Sequence, residues 1–235
     1  MNLQDVLNNK EILKNKENIT ILTKEIVDDF FNKNPNAKTF IIPDSVTEIE
    51  QSTFEYCTNL TKISIPNSVT EIGSYAFYGC TNLKEITIPE SVTEIGYCAF
   101  NCCKNLTEIT IPNSVTEIGY CAFYGCTNLK EITIPDSVTE IGKYAFKNCT
   151  SLEKITIPDS VTKIGDGAFY GCTNLKEIIF QNPSSLNQMK LGENVFLGCD
   201  LENINIIFLD NKLDKEDMTN SISDTKKDEN DLELF

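Results

Sequence analysis

The sequence has no histidine, no arginine and no tryptophan. Histidine is the usual general base near neutral pH and the commonest metal ligand. Arginine is the side chain that grips phosphate or carboxylate with a rigid fork. Paired carboxylates or a cysteine–lysine site could still act, but nothing supplies a nucleophile with a matched base, so neither enzymatic activity nor a cofactor is expected. Long apolar runs are missing too. Stretches such as Ile204 to Leu209 fall far short of the roughly 20 residues that cross a bilayer, so no membrane insertion is expected. Positive charge is scarce: 20 lysines face 35 acids, a net charge of −15. Phosphate binding needs clustered cations, which argues against nucleic acid or an anionic membrane surface as the main partner. No small-molecule substrate is expected. Residues Met1 to Lys10 show no basic region followed by an apolar stretch, which sets the expectation of a cytoplasmic protein.

What the sequence has is repetition. Prolines recur at Pro43, Pro66, Pro89, Pro112, Pro135 and Pro158, a step of 23 residues. Phenylalanines keep that step from Phe54 through Phe77, Phe100, Phe123 and Phe146 to Phe169, and cysteines from Cys57 through Cys80, Cys103, Cys126 and Cys149 to Cys172. The unit reads L-x-x-I-x-I-P-x-S-V-T-E-I-G-x-x-A-F-x-x-C-x-x. A unit this short cannot bury an apolar face alone, so copies must stack around a shared core. In one copy, Ile86 and Ile88 alternate with Thr87, the period-two pattern of a half-buried strand. Pro89 ends that pairing because it has no N–H to offer a ladder. Val92 and Ile95 turn inward from a second short extended piece, and Gly96 breaks the direction. Ala99, Phe100 and Cys103 follow at helical spacing, which predicts a helical or 3₁₀ turn.

The unit resembles the BspA-like (Treponema-type) leucine-rich repeat family, whose copies read close to I-P-x-S-V-T-x-I-G-x-x-A-F-x-x-C-x-x-L. Residues 60 to 174 match five times without a gap; residues 37 to 59 match more loosely, with Ala37, Phe40 and Glu50 at the leucine, isoleucine and glycine positions. The resemblance implies a leucine-rich repeat solenoid, a parallel β-sheet horseshoe of about seven coils. It also implies protein recognition, often at surfaces of host-associated microbes, without catalytic residues. A protein–protein interaction scaffold is therefore expected, with a surface-displayed adhesin as the alternative.

Three regions follow. Residues 1–36 lie outside the repeat and form a helical cap, clearest from Lys24 to Lys33, with Thr23 as N-cap and Asn34-Pro35 as the stop. Residues 37–209 form the solenoid, loosened near Asn182 by an insertion that delays Phe196 and Cys199 to 27 residues after their predecessors. Residues 210–235 hold nine acids and four lysines, the composition of a disordered tail. Its last five residues, Asp231 to Phe235, could serve as a short docking motif.

Two sets of residues stand out as candidates. Cys98, Cys102 and Cys121 fall outside the regular cysteine column. Cys98 is expected to face solvent and Cys102 the boundary, and the three thiols could bind zinc or copper(I), or bridge Cys98 to Cys121 on oxidation. No fourth ligand is evident. The other set is the outward face of the first sheet, expected to line the concave side: Lys84, Glu85 and Thr87, then Thr107, Glu108 and Thr110, then Lys130, Glu131 and Thr133. These are the candidate partner-binding residues. A second acidic line runs through Glu48, Glu71, Glu94, Glu117 and Glu140. Like charges about 5 Å apart in water repel by only about 0.8 kcal/mol, so a solvated face can carry such lines without a ligand.

Overall fold

A computed structural model describes residues 19–181 and 189–208. The residues before 19, the insertion at 182–188 and the acidic tail lie outside the described part. The chain winds as a solenoid in which each coil lays one strand on each of two sides. On the first side, β2 (Thr39–Ile41), β4 (Lys62–Ser64), β6 (Glu85–Thr87), β8 (Glu108–Thr110), β10 (Glu131–Thr133), β12 (Lys154–Ile157), β14 (Glu177–Phe180) and β16 (Asn205–Phe208) form one eight-stranded parallel sheet. Its register follows the repeat, with Glu85 opposite Glu108 and Ile86 opposite Ile109. The second side carries β1 (Ile21–Leu22), β3 (Glu48–Ile49), β5 (Glu71–Ile72) and β7 (Glu94–Ile95) in one sheet. A separate sheet continues it with β9 (Glu117–Ile118), β11 (Glu140–Ile141), β13 (Lys163–Ile164) and β15 (Lys190–Leu191).

The third side departs from the expected helical turn. N–H groups of Ala76, Tyr78 and Cys80 do donate three residues back, to Gly73, Tyr75 and Phe77, as a 3₁₀ turn would. Between them, the N–H groups of Tyr75, Phe77 and Gly79 donate at 2.8 Å to Tyr97, Ala99 and Asn101 of the next coil. Alternating local and inter-coil bonds satisfies every donor along this edge and stops a helix from forming. The geometry needs two left-handed residues per coil. One position holds Tyr75, Cys98, Cys121, Tyr144 and Gly167, with φ from 52° to 59°; the other holds Tyr56, Gly79, Cys102, Gly125, Asn148 and Gly171.

Side chains of equal kind stack inside. Phe54, Phe77, Phe100, Phe123, Phe146, Phe169 and Phe196 form a column with centroids 5.0–5.5 Å apart and ring planes within 6° of parallel. The cysteine column has a polar duty as well as an apolar one. Each thiol from Cys80 to Cys199 donates to the carbonyl of the phenylalanine one coil back, at 3.0–3.3 Å. A small side chain with a weak donor suits that site. Serines do likewise: Ser91, Ser137 and Ser160 donate at 2.6 Å to Val69, Val115 and Val138.

The N-terminal helix α1 (Lys24–Lys33) has the expected bounds and buries Ile26, Val27 and Phe30. Phe30 meets Phe40 edge-on at 5.0 Å, and Phe40 meets Phe54 at 5.3 Å, so the helix closes the open end of the phenylalanine column. Thr23 has extended N-cap backbone angles, but its side chain makes no capping bond. The strand before the helix was not legible in the sequence. β1 pairs with β3, and buried Thr53, where later coils have alanine, ties it down by donating to Leu22 O at 2.8 Å. The second sheet therefore begins within the segment expected to be helix alone.

Two outcomes test this account. Phe123→Ala removes a ring stacked on both sides and should destabilise the protein by roughly 3–5 kcal/mol in urea unfolding. Cys102→Gly relieves a left-handed non-glycine residue and should raise stability by about 1 kcal/mol, read as a higher Tm.

Candidate functional site

The nine partner-binding candidates lie where the repeat predicts. Lys84, Glu85, Thr87, Thr107, Glu108, Thr110, Lys130, Glu131 and Thr133 are all exposed, on consecutive rungs of the first sheet. Charges pair towards the ends of that sheet, where Lys62 bridges to Glu85, Lys154 to Glu177 and Lys176 to Glu153. The exposed Glu85 carboxyl is held below its ordinary range by its hydrogen bond from Lys62 and by that lysine's charge. Glu108 and Glu131, in the middle, have no ion-pair partner among the described residues. On the second side, Glu140 bridges to Lys163, while Glu71, Glu94 and Glu117 have none among the described residues.

The third side carries a feature that pattern reading passed over: it holds all eight tyrosines of the chain. Tyr56 and Tyr97 are about 60% exposed, and Tyr75 and Tyr120 are exposed as well. Towards the C-terminal end this stripe is already occupied by the protein's own cations. Lys147 lies 4.7 Å from the Tyr144 ring centre and 4.8 Å from that of Tyr170, and Lys143 lies 5.0 Å from Tyr144. A cleft of about 590 Å³ beside them is lined by Tyr97, Tyr120, Lys143, Lys163 and their acidic partners. Lys143 and Lys163 are engaged by Asp166 and Glu140, so that pair is not free for an anion. The signal was available in the sequence. Tyrosine recurs at the unconserved x positions flanking A-F, which a search for invariant letters discards.

The irregular cysteines are corrected by the structure. Cys98 does not face solvent: it is buried, with 4% of its surface exposed, and Cys121 is buried at 6%. Both residues share the left-handed backbone of Tyr75 at the equivalent position, but their short side chains stay against the coil where the longer tyrosine reaches solvent. Cys102 sits at the boundary, as expected. Among the described residues no three cysteines or carboxylates converge to hold a metal ion, so the thiol triad expected as a possible metal site is not assembled.

Cys98 and Cys121 do meet across the coil junction. Cys98 and Cys121 occupy equivalent positions of adjacent coils, and side-chain hydrogen bonding from Cys121, Asn101 and Tyr75 favours the Cys98 thiolate. These donors stabilise the thiolate, Cys121 most, and outweigh partial burial, lowering Cys98 from the ordinary cysteine range to about 6. Cys121, the donor, moves up for the same reason, aided by burial. The column cysteines are driven upward mainly by desolvation, Cys57 and Cys199 to about 12. At pH 7 iodoacetamide should therefore modify Cys98 before the other nine cysteines. Its rate should fall as pH drops through about 6, where the thiolate is protonated, and peptide mapping after timed alkylation reads both.

Comparisons with known proteins agree with the coil geometry. The sequence model of the BspA type Leucine rich repeat region matches in six copies, over residues 24–119 and 93–221. No curated protein matches the chain. Among solved structures, the leucine-rich repeat protein of T. pallidum is similar at 30% identity, TM-score 0.68, over 82% of this chain and 85% of that one. A leucine-rich cell surface protein of Faecalibacterium prausnitzii is similar at 32% identity, TM-score 0.55, over 66% of this chain and 51% of its own. A leucine-rich repeat protein of Eubacterium ventriosum is similar at 28% identity, TM-score 0.63, over 76% and 45%. The repeat that spaces the phenylalanine and cysteine columns is thus the repeat of these proteins, and the chain belongs to the BspA-type leucine-rich repeat family.

Proposed function

We propose that this chain is a non-enzymatic scaffold that presents its repeat surface to a protein partner. The core absorbs most residues that could carry chemistry: the column thiols hold backbone carbonyls, and the serines hold turns. What supports the reading most directly is the first-sheet face. There Thr87, Thr110 and Thr133 stand exposed in register, beside Glu108 and Glu131 that have no ion-pair partner among the described residues. With a net charge of −15, that face suits a basic protein surface, and the attraction should weaken with salt. A scaffold of this kind gains affinity by repeating a modest contact on successive rungs.

A second reading is favoured by one observation. One similar structure is that of a cell surface protein, which supports display of this chain at a cell surface as an adhesin. Fractionation of the native cell separates the two readings. Protein recovered with the envelope and cut by external protease supports the adhesin; protein recovered only from the cytosol supports the internal scaffold.

The binding face has its own test. The triple variant Glu85→Lys, Glu108→Lys, Glu131→Lys should lose at least about tenfold in affinity for partners captured by the wild type, since a rim charge reversal changes association and its salt dependence. Circular dichroism controls for folding. Unchanged capture by the folded variant assigns binding elsewhere.

A further inference from the structure

The repeat is broken in its hydrogen bonding at one junction among the described residues of the second side, between β7 and β9. At the neighbouring junctions the N–H of Gly73, Gly96, Gly142 and Gly165 donates to Ile49, Ile72, Ile118 and Ile141 at 2.7–2.9 Å, and Thr93 and Thr139 donate to Thr70 and Thr116. The equivalent bonds from Gly119 and Thr116 are missing. The coils stand apart there. A Cβ on Gly96, Gly142 or Gly165 would meet backbone of the preceding coil at 2.4–2.8 Å, whereas on Gly119 the nearest atom is 3.3 Å away. A cleft of about 470 Å³ opens at the seam, lined by Thr93, Glu94, Gly96, Tyr97, Thr116 and Glu117.

The Cys98–Cys121 pair spans this same junction, three residues beyond the open strands, where inter-coil bonding resumes with Cys98 N–H donating to Tyr120 O at 2.9 Å. These two thiols differ from the column. Column thiols are engaged by phenylalanine carbonyls, while Cys98 and Cys121 lie buried at equivalent left-handed positions of adjacent coils with no carbonyl partner among the described hydrogen bonds. Coil spacing permits a bond: with Cys98 N–H on Tyr120 O at 2.9 Å the two backbones run at hydrogen-bonding distance, and the roughly 4.7–4.9 Å between neighbouring strands lies within the roughly 4.4–6.8 Å Cα separation that a disulfide bridges. Beside them the Asn101 side-chain oxygen is buried without a hydrogen-bond partner, an acceptor waiting for a donor. Cys98 and Cys121 keep only 4% and 6% of their surface exposed, which favours a small oxidant such as hydrogen peroxide.

We propose that Cys98 and Cys121 are a peroxide-responsive dithiol: hydrogen peroxide oxidises Cys98, and Cys121 then closes a reversible disulfide across the seam. The Cys98 sulfur attacks one peroxide oxygen, the O–O bond breaks, and hydroxide leaves and takes up the proton that Cys98 had released. Cys98 then carries S–OH, whose hydrogen the Asn101 oxygen can accept. The Cys121 sulfur attacks the Cys98 sulfur, the S–O bond breaks, and the Cys121 proton leaves with the departing hydroxide as water. Two thiols and one peroxide become one disulfide and two waters. An external thiol reverses the bridge by exchange. The bond is a covalent strut beside the gap between β7 and β9.

The test uses the full-length protein, reduced, freed of reductant and treated at pH 7 with one equivalent of hydrogen peroxide. Free thiols are blocked with N-ethylmaleimide, and the digest is sequenced by tandem mass spectrometry. The expected product is an intramolecular Cys98–Cys121 link that a phosphine removes. Cys98 should react on the order of tenfold faster than Cys102, following its larger thiolate fraction. Cys121→Ser should leave a Cys98 sulfenic acid that dimedone traps, and Cys102→Gly should leave the bridge intact. Failure to form the link in the wild type, links that pair Cys98 equally with Cys102 or Cys103, or links only between chains would overturn the proposal.

Discussion

Everything in this molecule depends on one coil lying on the next in register. A 23-residue unit has too little surface to bury its own apolar face, and only stacking removes the phenylalanine ring from water on both sides. The register is enforced twice. Offset stacking of the rings repeats at 5.0–5.5 Å, and the backbone bonds of the three sides repeat at the same step except between β7 and β9. Neither could be kept if one coil slipped. A shift by one residue would turn every inward isoleucine outward and leave the cysteine thiols without their carbonyls.

That constraint explains which residues vary. Inward positions repeat almost letter for letter because each must match the copy above and below. Outward positions are freed from the core, and the surface lines of threonine, glutamate and lysine follow from copying, so their regularity alone does not identify a partner. Departures from the copy are more telling. Thr53 replaces alanine where it anchors the N-terminal strand, Asn101 replaces a tyrosine or lysine beside the irregular thiols, and Cys98 and Cys121 replace tyrosine at a left-handed position. The last two departures coincide with the seam in the second sheet, where the loss of two backbone bonds loosens the junction.

Two strands per coil, the inward set, the helix from Lys24 to Lys33 and its role as a cap could all be read along the chain. Such features are local: alternation, proline, glycine and helical spacing act over a few residues. The exposed placement of Glu85 and Thr87 and of their counterparts was equally legible, since period-two alternation within the strand decides it, while Lys84 lies in the polar step between Leu83 and β6. The third side was not. Spacing of Ala99, Phe100 and Cys103 suits a 3₁₀ turn, and half of its hydrogen bonds are those of such a turn, but the other half reach the next coil. A single copy contains no information about them. Against the neighbouring coil the short Cys98 side chain is buried, where the local spacing predicted exposure.

The sequence by itself therefore determined the repeat, the core columns, the family and the surface charge, because identical units with a fixed period leave one way to stack. Tertiary structure alone decided what lies between the units. Strand β1, the gathering of every tyrosine on one side, the open junction at Gly119 and the meeting of Cys98 with Cys121 all arise from residues about 23 or more apart. Their distance in space is set by the winding of the coil, and no local pattern encodes it.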